Sequence, residues 1–455
     1  MLANLLGPEI KEMVELRDWA TVKEILEEWP APDIAHLILL CEEKYRIILF
    51  RLLKKDLAAE VFSELDTEDQ EFLLKKMTSE QIKQILVELS PDDRTSFFEE
   101  LPDEALHKMM NLLPNEQRRE TLKLLGYPEN SVGRLMTPDY IVVRPHWTIE
   151  KALEHIRLYG QDAETIDMIY VVDDNWRLID DIPIRRFILT KGDKTVSFLM
   201  DENFISVSVD ADQEEAVKIM EKYRLLALPV LSKDRILLGI VTSDDIIEVM
   251  AEETTEDFHK AAAINPLEMK YTSASFWDLY KKRVGWLILL FVTYFFSSQI
   301  LVYFEESLQK IIALSFFIPV ILGSAGNVAT QASTLVIRAL SMGELTIGKW
   351  LSVVRKELFT ALLLGSTLAM GLYLRTALIH DIELASISHF QLAIVLGLSM
   401  FIIIIWANIV GSVLPIILTK FKLDPAVISS PLLSTLNDAT GLILYFSIAK
   451  YFLGI

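Results

Sequence analysis

Beyond Lys281 the sequence runs through five long apolar stretches, approximately Val284–Phe304, Ile311–Ile337, Leu358–Leu374, Phe390–Thr419 and Pro425–Phe452. At 1.5 Å per residue, about 20 such residues as a helix cross the hydrocarbon of a bilayer. In lipid every backbone amide must be paired within its own segment, so five spans of this kind define a helical membrane bundle. The second and fourth stretches are longer than a bilayer needs, and Pro319 and Pro415 mark places to bend. Flanking charges set an orientation. Lys281, Lys282, Arg283, Arg338, Lys349, Arg355, Lys356, Lys420 and Lys422 fall on the side of the N-terminal half, against Lys310, Arg375 and Lys450 on the other. This bias predicts a cytosolic N-terminus and an external C-terminus in the cell membrane.

The fifth stretch carries a charge near its middle, Asp438, surrounded by Ser429, Ser430, Ser434, Thr435, Asn437 and Thr440. A carboxylate at that depth costs at least a few kcal/mol, so it faces protein or a water-filled path. A hydrogen-bonded buried acid is the plain alternative. A ring of oxygen-bearing groups is what a hard cation wants. The second stretch contains Gly323-Ser-Ala-Gly326-Asn327, followed by Gln331 one turn on. Small residues permit close helix approach, and stacked amides in lipid call for partners, as packing glue or as a pore lining.

The first 280 residues hold roughly 32 Lys and Arg against 56 Asp and Glu. That acidity argues against nucleic acid and anionic lipid as partners and favours metal binding, with a solvated surface as the bland alternative. No apolar leader follows Met1, and the single cysteine, Cys41, leaves no intrachain disulfide.

Residues 1–130 read as short helices in series. A twelve-residue step recurs through Leu65, Met77, Leu89, Leu101, Leu113 and Leu125, each followed by Asp66, Thr78, Ser90, Pro102, Pro114 or Gly126. Thr78-Ser-Glu-Gln81 and Ser90-Pro-Asp-Asp93 are helix-start patterns. Such arrays bury a core between neighbours and serve as interaction modules. Asp92 and Asp93 at a helix start suit the helix dipole as well as a metal.

A second repeat of about 64 residues fills 131–253: Leu135-Met136-Thr137 recurs as Leu199-Met200-Asp201, and Ile141 with Val143 as Ile205 with Val207. The alternation of strand and helix, with Gly239-Ile-Val-Thr242 and then Asp245, resembles a tandem pair of CBS domains, whose matching turn contacts the ribose of adenine nucleotides. The first copy has Pro183 and Arg186 where the pattern has a hydroxyl and an acid. An arginine cannot accept from ribose hydroxyls, which leaves Arg185 and Arg186 for phosphate or for solvent. From Glu248 through Glu252, Glu253, Glu256 and Asp257 the next helix crowds acids at i,i+4 spacing, a few tenths of a kcal/mol unfavourable per pair and relieved by divalent cations. Residues 254–280 are expected to form a connecting helix that breaks or restarts at Pro266.

Two motifs in the membrane half are more specific. Pro319-x3-Gly323-x2-Gly326-Asn327-x3-Gln331 with Arg338, and Pro431-Leu432-x2-Thr435-x2-Asp438-x2-Gly441-x3-Tyr445-Phe446, resemble the MgtE family of magnesium channels and transporters. The domain order matches too. The resemblance implies a multidomain chain: an all-α helical repeat at 1–130, an α+β CBS pair at 131–253, a connecting plug helix at 254–280 and a five-helix transmembrane bundle at 281–455. It implies a homodimer with a pore on its axis, where Asp438, Asn327, Gly326 and Ser434 meet the ion. It further implies Mg2+ as both cargo and regulator, with Asp92, Asp93, Asp245, Glu248, Glu253, Glu256 and Asp257 as regulatory ligands. ATP is implied as a weak ligand, with Arg185 and Thr242 as its contacts. Thr330 departs from the amide expected there.

Other classes fit less well. A membrane enzyme would need a second titratable group beside Asp438, and the stretches as bounded above offer only His389 at an edge. A nucleotide-regulated transporter of Mn2+ or Co2+ is the remaining alternative, and no Walker A loop supplies a primary energy source.

Overall fold

The computed structural model of the protein describes residues 2–267, 271–272, 274–341, 344–345, 348, 350–379, 387–421, 423–424 and 430–454. Pro425, Ser429, Lys349 and Lys422 lie outside them. The chain divides into two compact units, Met1–Met250 and Ala251–Ile455.

In the first unit the twelve-residue step is a helix punctuation. Asp66, Thr78, Ser90, Pro102 and Pro114 are the N-caps of successive helices, and Leu65, Leu89, Leu101 and Leu113 are buried between them. Thr78 and Gln81 form the reciprocal capping box, the Thr78 N–H donating to Gln81 Oε1 and the Gln81 N–H to Thr78 Oγ1. Helices of this length are too short to stand alone, so their apolar faces close one shared core through Phe50, Phe62, Phe97 and Phe98.

Arg94 fastens this array. Its side chain is only 2% exposed and ties helix Pro91–Glu99 to its neighbours: Nη1 donates to the carbonyls of Leu86 and Leu89, Nε to Thr121 Oγ1, and Nη2 to Glu120 Oε2 at 2.6 Å. Arg134, which pairs with Glu99 and donates to the Tyr127 carbonyl, carries the same unit into the CBS pair.

Each CBS copy is a helix on a three-stranded sheet. In the first, Val142–Val143 runs parallel to Met168–Val172, which pairs antiparallel with Leu178–Pro183; in the second, Val207–Ser208, Ala227–Leu231 and Leu237–Thr242 repeat that order. The copies are bonded to each other. Thr137 and Ile240 exchange backbone hydrogen bonds, and Leu178 and Leu237 donate to Arg235 and Trp176 across the two hairpins. Between the sheets lies a core containing Tyr170, Val172, Leu231 and Ile240.

In the second unit, five helices among the described residues are long and apolar enough to span a bilayer: Phe276–Tyr303, Ala313–Leu340, Trp350–Leu378, His389–Lys420 and Ser430–Leu453. The second packs on the fourth and fifth, the third on the fourth, and the first on the fifth. The fourth is 56% buried over its most apolar window against 11% for the first, so it is the axis of the bundle. Both Pro319 and Pro415 lie inside continuous helices. The third helix begins eight residues before the apolar stretch read from the sequence. Arg355-Lys356-Glu357 looks like a flank by composition, yet it is helical, so Glu357 sits about two turns inside. The helices therefore carry, besides Asp438, Glu357 and, in the first turn of the first, Asp278, where the stretches read from the sequence offered only His389 at an edge. The helix leading out of the CBS pair, Ser243–Ala261, ends before Pro266, and the next begins at Phe276.

Removing Arg94 would leave four acceptors unserved, one of them a carboxylate. Arg94→Ala should cost the first unit about 1–3 kcal/mol, as leaving buried acceptors unsatisfied does. A denaturant midpoint equal to the parent's would show that the network holds nothing.

Candidate functional site

Two clusters of the expected residues are on separate units. The first is built at the junction of the helical array and the CBS pair. The Ser90 hydroxyl accepts from the Asp93 N–H and starts a helix with Pro91 at its first position, which sets Asp92 and Asp93 on the first turn. The strand Leu237–Thr242 ends by turning directly into Ser243–Ala261, whose first turn carries Asp244 and Asp245. Asp245 Oδ2 accepts from the Thr242 N–H and hydroxyl at 3.2 and 2.8 Å.

These starts face one another. Burial, then the charges of Asp245 and Asp93, raise the Asp92 carboxyl well above its ordinary range. Asp93 is raised by burial and by Asp244. Asp245 is pushed up to about 7, mainly by burial, with Asp244 and Asp93 adding to it against the Thr242 hydrogen bonds. Sequence reasoning missed three participants. Glu164 is raised by burial and by Asp244, Asp93 and Asp139; Asp139 reaches about 6 through burial and the charge of Glu120. Asp244 adjoins a residue already singled out, but Glu164 and Asp139 arrive through a loop contact, the Glu164 N–H donating to the Asp139 carbonyl, which no periodicity announces.

Asp92 Oδ1 is buried and has no hydrogen-bond partner. An orphaned carboxylate oxygen among like charges fits a cation. Among the described residues no three His, Cys, Asp or Glu side chains converge closely enough to chelate a bare ion. Acids spread in this way suit an ion held through its water, as Mg2+ is.

The remaining regulatory candidates follow on the same helix. Glu248 belongs to the first unit, and Glu253, Glu256 and Asp257 to the second. Lys260 Nζ bridges Glu256 Oε1 at 2.6 Å and Asp424 Oδ2 at 2.8 Å. Burial opposes its charge, but the bonds from Asp424 and Glu256 outweigh this and hold the ammonium above its ordinary range.

The second cluster is in the membrane helices. Gly326 is seated against Ser434, where a Cβ would stand 3.0 Å from the Ser434 Oγ, tighter than ordinary van der Waals contact. Ser434 is one turn before Asp438, which is half-buried. Asn327 and Gln331 are exposed, one turn apart, on a face of the second helix. Asn437 is 1% exposed, and its Oδ1 has no partner. A cleft of about 750 Å3 runs between Leu287, Ile288, Phe291 and Tyr294 of the first helix and Pro431, Ser434 and Thr435 of the fifth.

For nucleotide, Thr242 is buried at a strand end, while Arg185 is exposed and Arg186 lies 3.8 Å from Asp201. The Tyr170 hydroxyl, in the core between the CBS sheets, has no partner.

Comparison with known proteins agrees with this layout. Residues 318–448 match the model of a divalent cation transporter, residues 29–130 that of the MgtE intracellular N domain, and 132–188 and 196–252 two CBS domains. The chain is 36% identical over 98% of its length to the magnesium transporter MgtE of Thermus thermophilus, covering 98% of that protein, and 31% identical over 96% to that of Bacillus subtilis, covering 95%. The crystal structure of a cytosolic domain of the Mg2+ channel MgtE with ATP is 34% identical, with a TM-score of 0.51, over 53% of this chain and 99% of that one. The architecture is thus that of a multi-pass divalent cation transporter with an N-terminal part that contains a CBS pair. The chain belongs to the MgtE family of magnesium transporters.

The raised carboxyls give a pH dependence with a definite sign. Asp245 has a folded value of about 7 against 3.8 ordinarily, so its contribution to stability is complete below about pH 4 and lost as pH rises through 7. Without divalent cations the unfolding transition of the first unit should therefore lie higher at pH 6 than at pH 8, and Mg2+ at pH 8 should restore it. Equal transitions at both pH values in the metal-free protein would contradict the buried cluster.

Proposed function

We propose that the protein is a Mg2+-selective channel or transporter that admits Mg2+ through a pore shared by two copies of the chain and is closed by Mg2+ bound to its cytosolic half. The observation that carries the reading is Asp438, a carboxylate in the fifth membrane helix one turn from the Gly326–Ser434 contact. Mg2+ gives up its water slowly, so rapid passage calls for recognition of the hydrated ion by few carboxylates and amide or backbone oxygens. Two symmetry-related Asp438 side chains, with Asn327, Gly326 and Ser434 beside them, supply such a set. The membrane potential, worth about 2.3 kcal/mol per charge per 100 mV, is sufficient drive for inward flux.

Closure follows from electrostatics. Without a cation, Asp92, Asp93, Asp244, Asp245 and Glu164 repel across the junction of the helical array and the CBS pair, and Mg2+ at the orphaned Asp92 oxygen relieves this. Glu253, Glu256 and Asp257 continue the acidic run, and Lys260 links Glu256 to Asp424 in the segment that leads into the fifth helix. Moving a gate from 1:99 to 99:1 takes about 5.5 kcal/mol of differential binding, which several weak sites acting together can provide. Adenine nucleotide is proposed as a weak ligand of the CBS pair through Thr242 and Arg185. The Tyr170 hydroxyl and the ATP complex of the relative support it, while Arg186 in place of an acid limits it to one site per chain.

Asp438→Ala in liposomes should abolish Mg2+ flux while the protein stays folded, because the span loses a charge. Wild-type flux from the folded variant would sink the pore assignment, and flux of Mn2+ or Co2+ in preference to Mg2+ would replace the cargo. A variant with Glu256→Ala and Asp257→Ala should conduct at cytosolic Mg2+ levels that shut the parent; an unchanged inhibition curve would reduce that cluster to a solvated face. Calorimetry with ATP should find one weak site per chain rather than two tight ones.

A further inference from the structure

The fourth membrane helix makes three specific ties within residues 406–411, each to a different neighbour. Asn408, 2% exposed, donates through Nδ2 to both the backbone carbonyl and the carboxylate of Glu357 in the third helix, at 3.0 and 2.9 Å. At Gly411 the helix lies backbone to backbone on the second, where a Cβ would stand 2.3 Å from the Ala329 carbonyl oxygen. Trp406 Nε1 donates to Thr440 Oγ1 of the fifth helix at 2.9 Å, two residues beyond Asp438. The two acids of the membrane helices that lie well inside their spans are thus joined by a short route. Glu357 is about 10 Å and Asp438 about 12 Å along helices that start on the same side of the bundle.

A carboxylate held by one amide in a membrane helix is an expensive way to make packing glue. Leucine would pack the third helix on the fourth without that cost. What leucine cannot do is fix rotation and height: a side chain bonding both the carbonyl and the carboxylate of a single residue allows one register. Because Trp406 and Gly411 are on the same two turns of helix as Asn408, that register also sets how the fourth helix meets the fifth at Thr440 and the second at Ala329, two residues from Asn327.

We propose that Glu357 is a positioning residue for the pore acid Asp438, acting through Asn408 and the Trp406–Thr440 bond. This rests on the pore reading above. Support for a metal-binding carboxylate is worth about 10-fold or more in affinity at well-studied sites. Glu357→Leu with Asn408→Leu replaces both partners by apolar groups, which leaves no buried polar group unserved and keeps the bundle stable. In liposomes this double variant should raise the Mg2+ concentration for half-maximal flux about tenfold and weaken preference for Mg2+ over Ca2+, with maximal flux less affected. Glu357→Gln keeps an acceptor for Asn408 and should rescue half-saturation to within about twofold of the parent. Trp406→Phe, which cuts the second link, should move it in the same direction as the double variant.

A folded double variant with the parent's half-saturation and selectivity overturns the positioning role. So does a Glu357→Gln protein as impaired as the double variant, since charge rather than the hydrogen bond would then be what matters. Asp438→Ala measured alongside separates the two levels. If it conducts like the parent, the pore reading fails and the positioning role with it; if it is dead while the double variant is unaffected, only the positioning role fails.

Discussion

Carboxylates drawn out of water are the constraint on which both halves of this protein depend: beside other carboxylates around Asp92, and inside a membrane helix at Asp438. Asp92, with its buried and unpartnered oxygen, cannot be explained by folding alone, because a solvated acid or a simple cap would be more stable in its place. Asp438 in its membrane helix raises the same question in a harsher solvent. In each place the protein carries a standing electrostatic cost.

The scaffolding around each cluster is chemically ordinary. Arg94, directly after the acid pair, bonds Glu120 and three neutral acceptors, so the helix that presents Asp92 is anchored to its neighbours. The Thr137–Ile240 bonds keep the strand that leads to Asp245 in register with the segment that leads to Asp139. In the membrane half, close backbone contact at Gly411 and the seat of Ser434 on Gly326 do the corresponding work. Without a hydrophobic driving force between helices in lipid, such small-residue contacts and interhelical hydrogen bonds are what define position.

Lys260 occupies, between Glu256 and Asp424, the kind of place a bridging cation would take, so the acidic run after the CBS pair is already partly neutralised by the chain itself.

Sequence alone determined the class of structure, because the signals are local. Five apolar lengths follow from bilayer thickness, the twelve-residue step from helix caps at Thr78 and Ser90, and the CBS pair from alternating strand and helix. Asp438 was legible because a charge in a long apolar run needs no neighbour to look anomalous. Tertiary structure alone decided the rest. Glu164 and Asp139 join Asp92 and Asp245 through contacts between segments distant in the chain, and neither has a spacing that marks it. Glu357 looked like part of a charged flank until the third helix proved to start at Trp350 and Asn408 to reach it from 51 residues away. Helix starts, caps and spans are set within a few residues, whereas electrostatic partners are set by which faces pack, and only the folded chain brings those faces together.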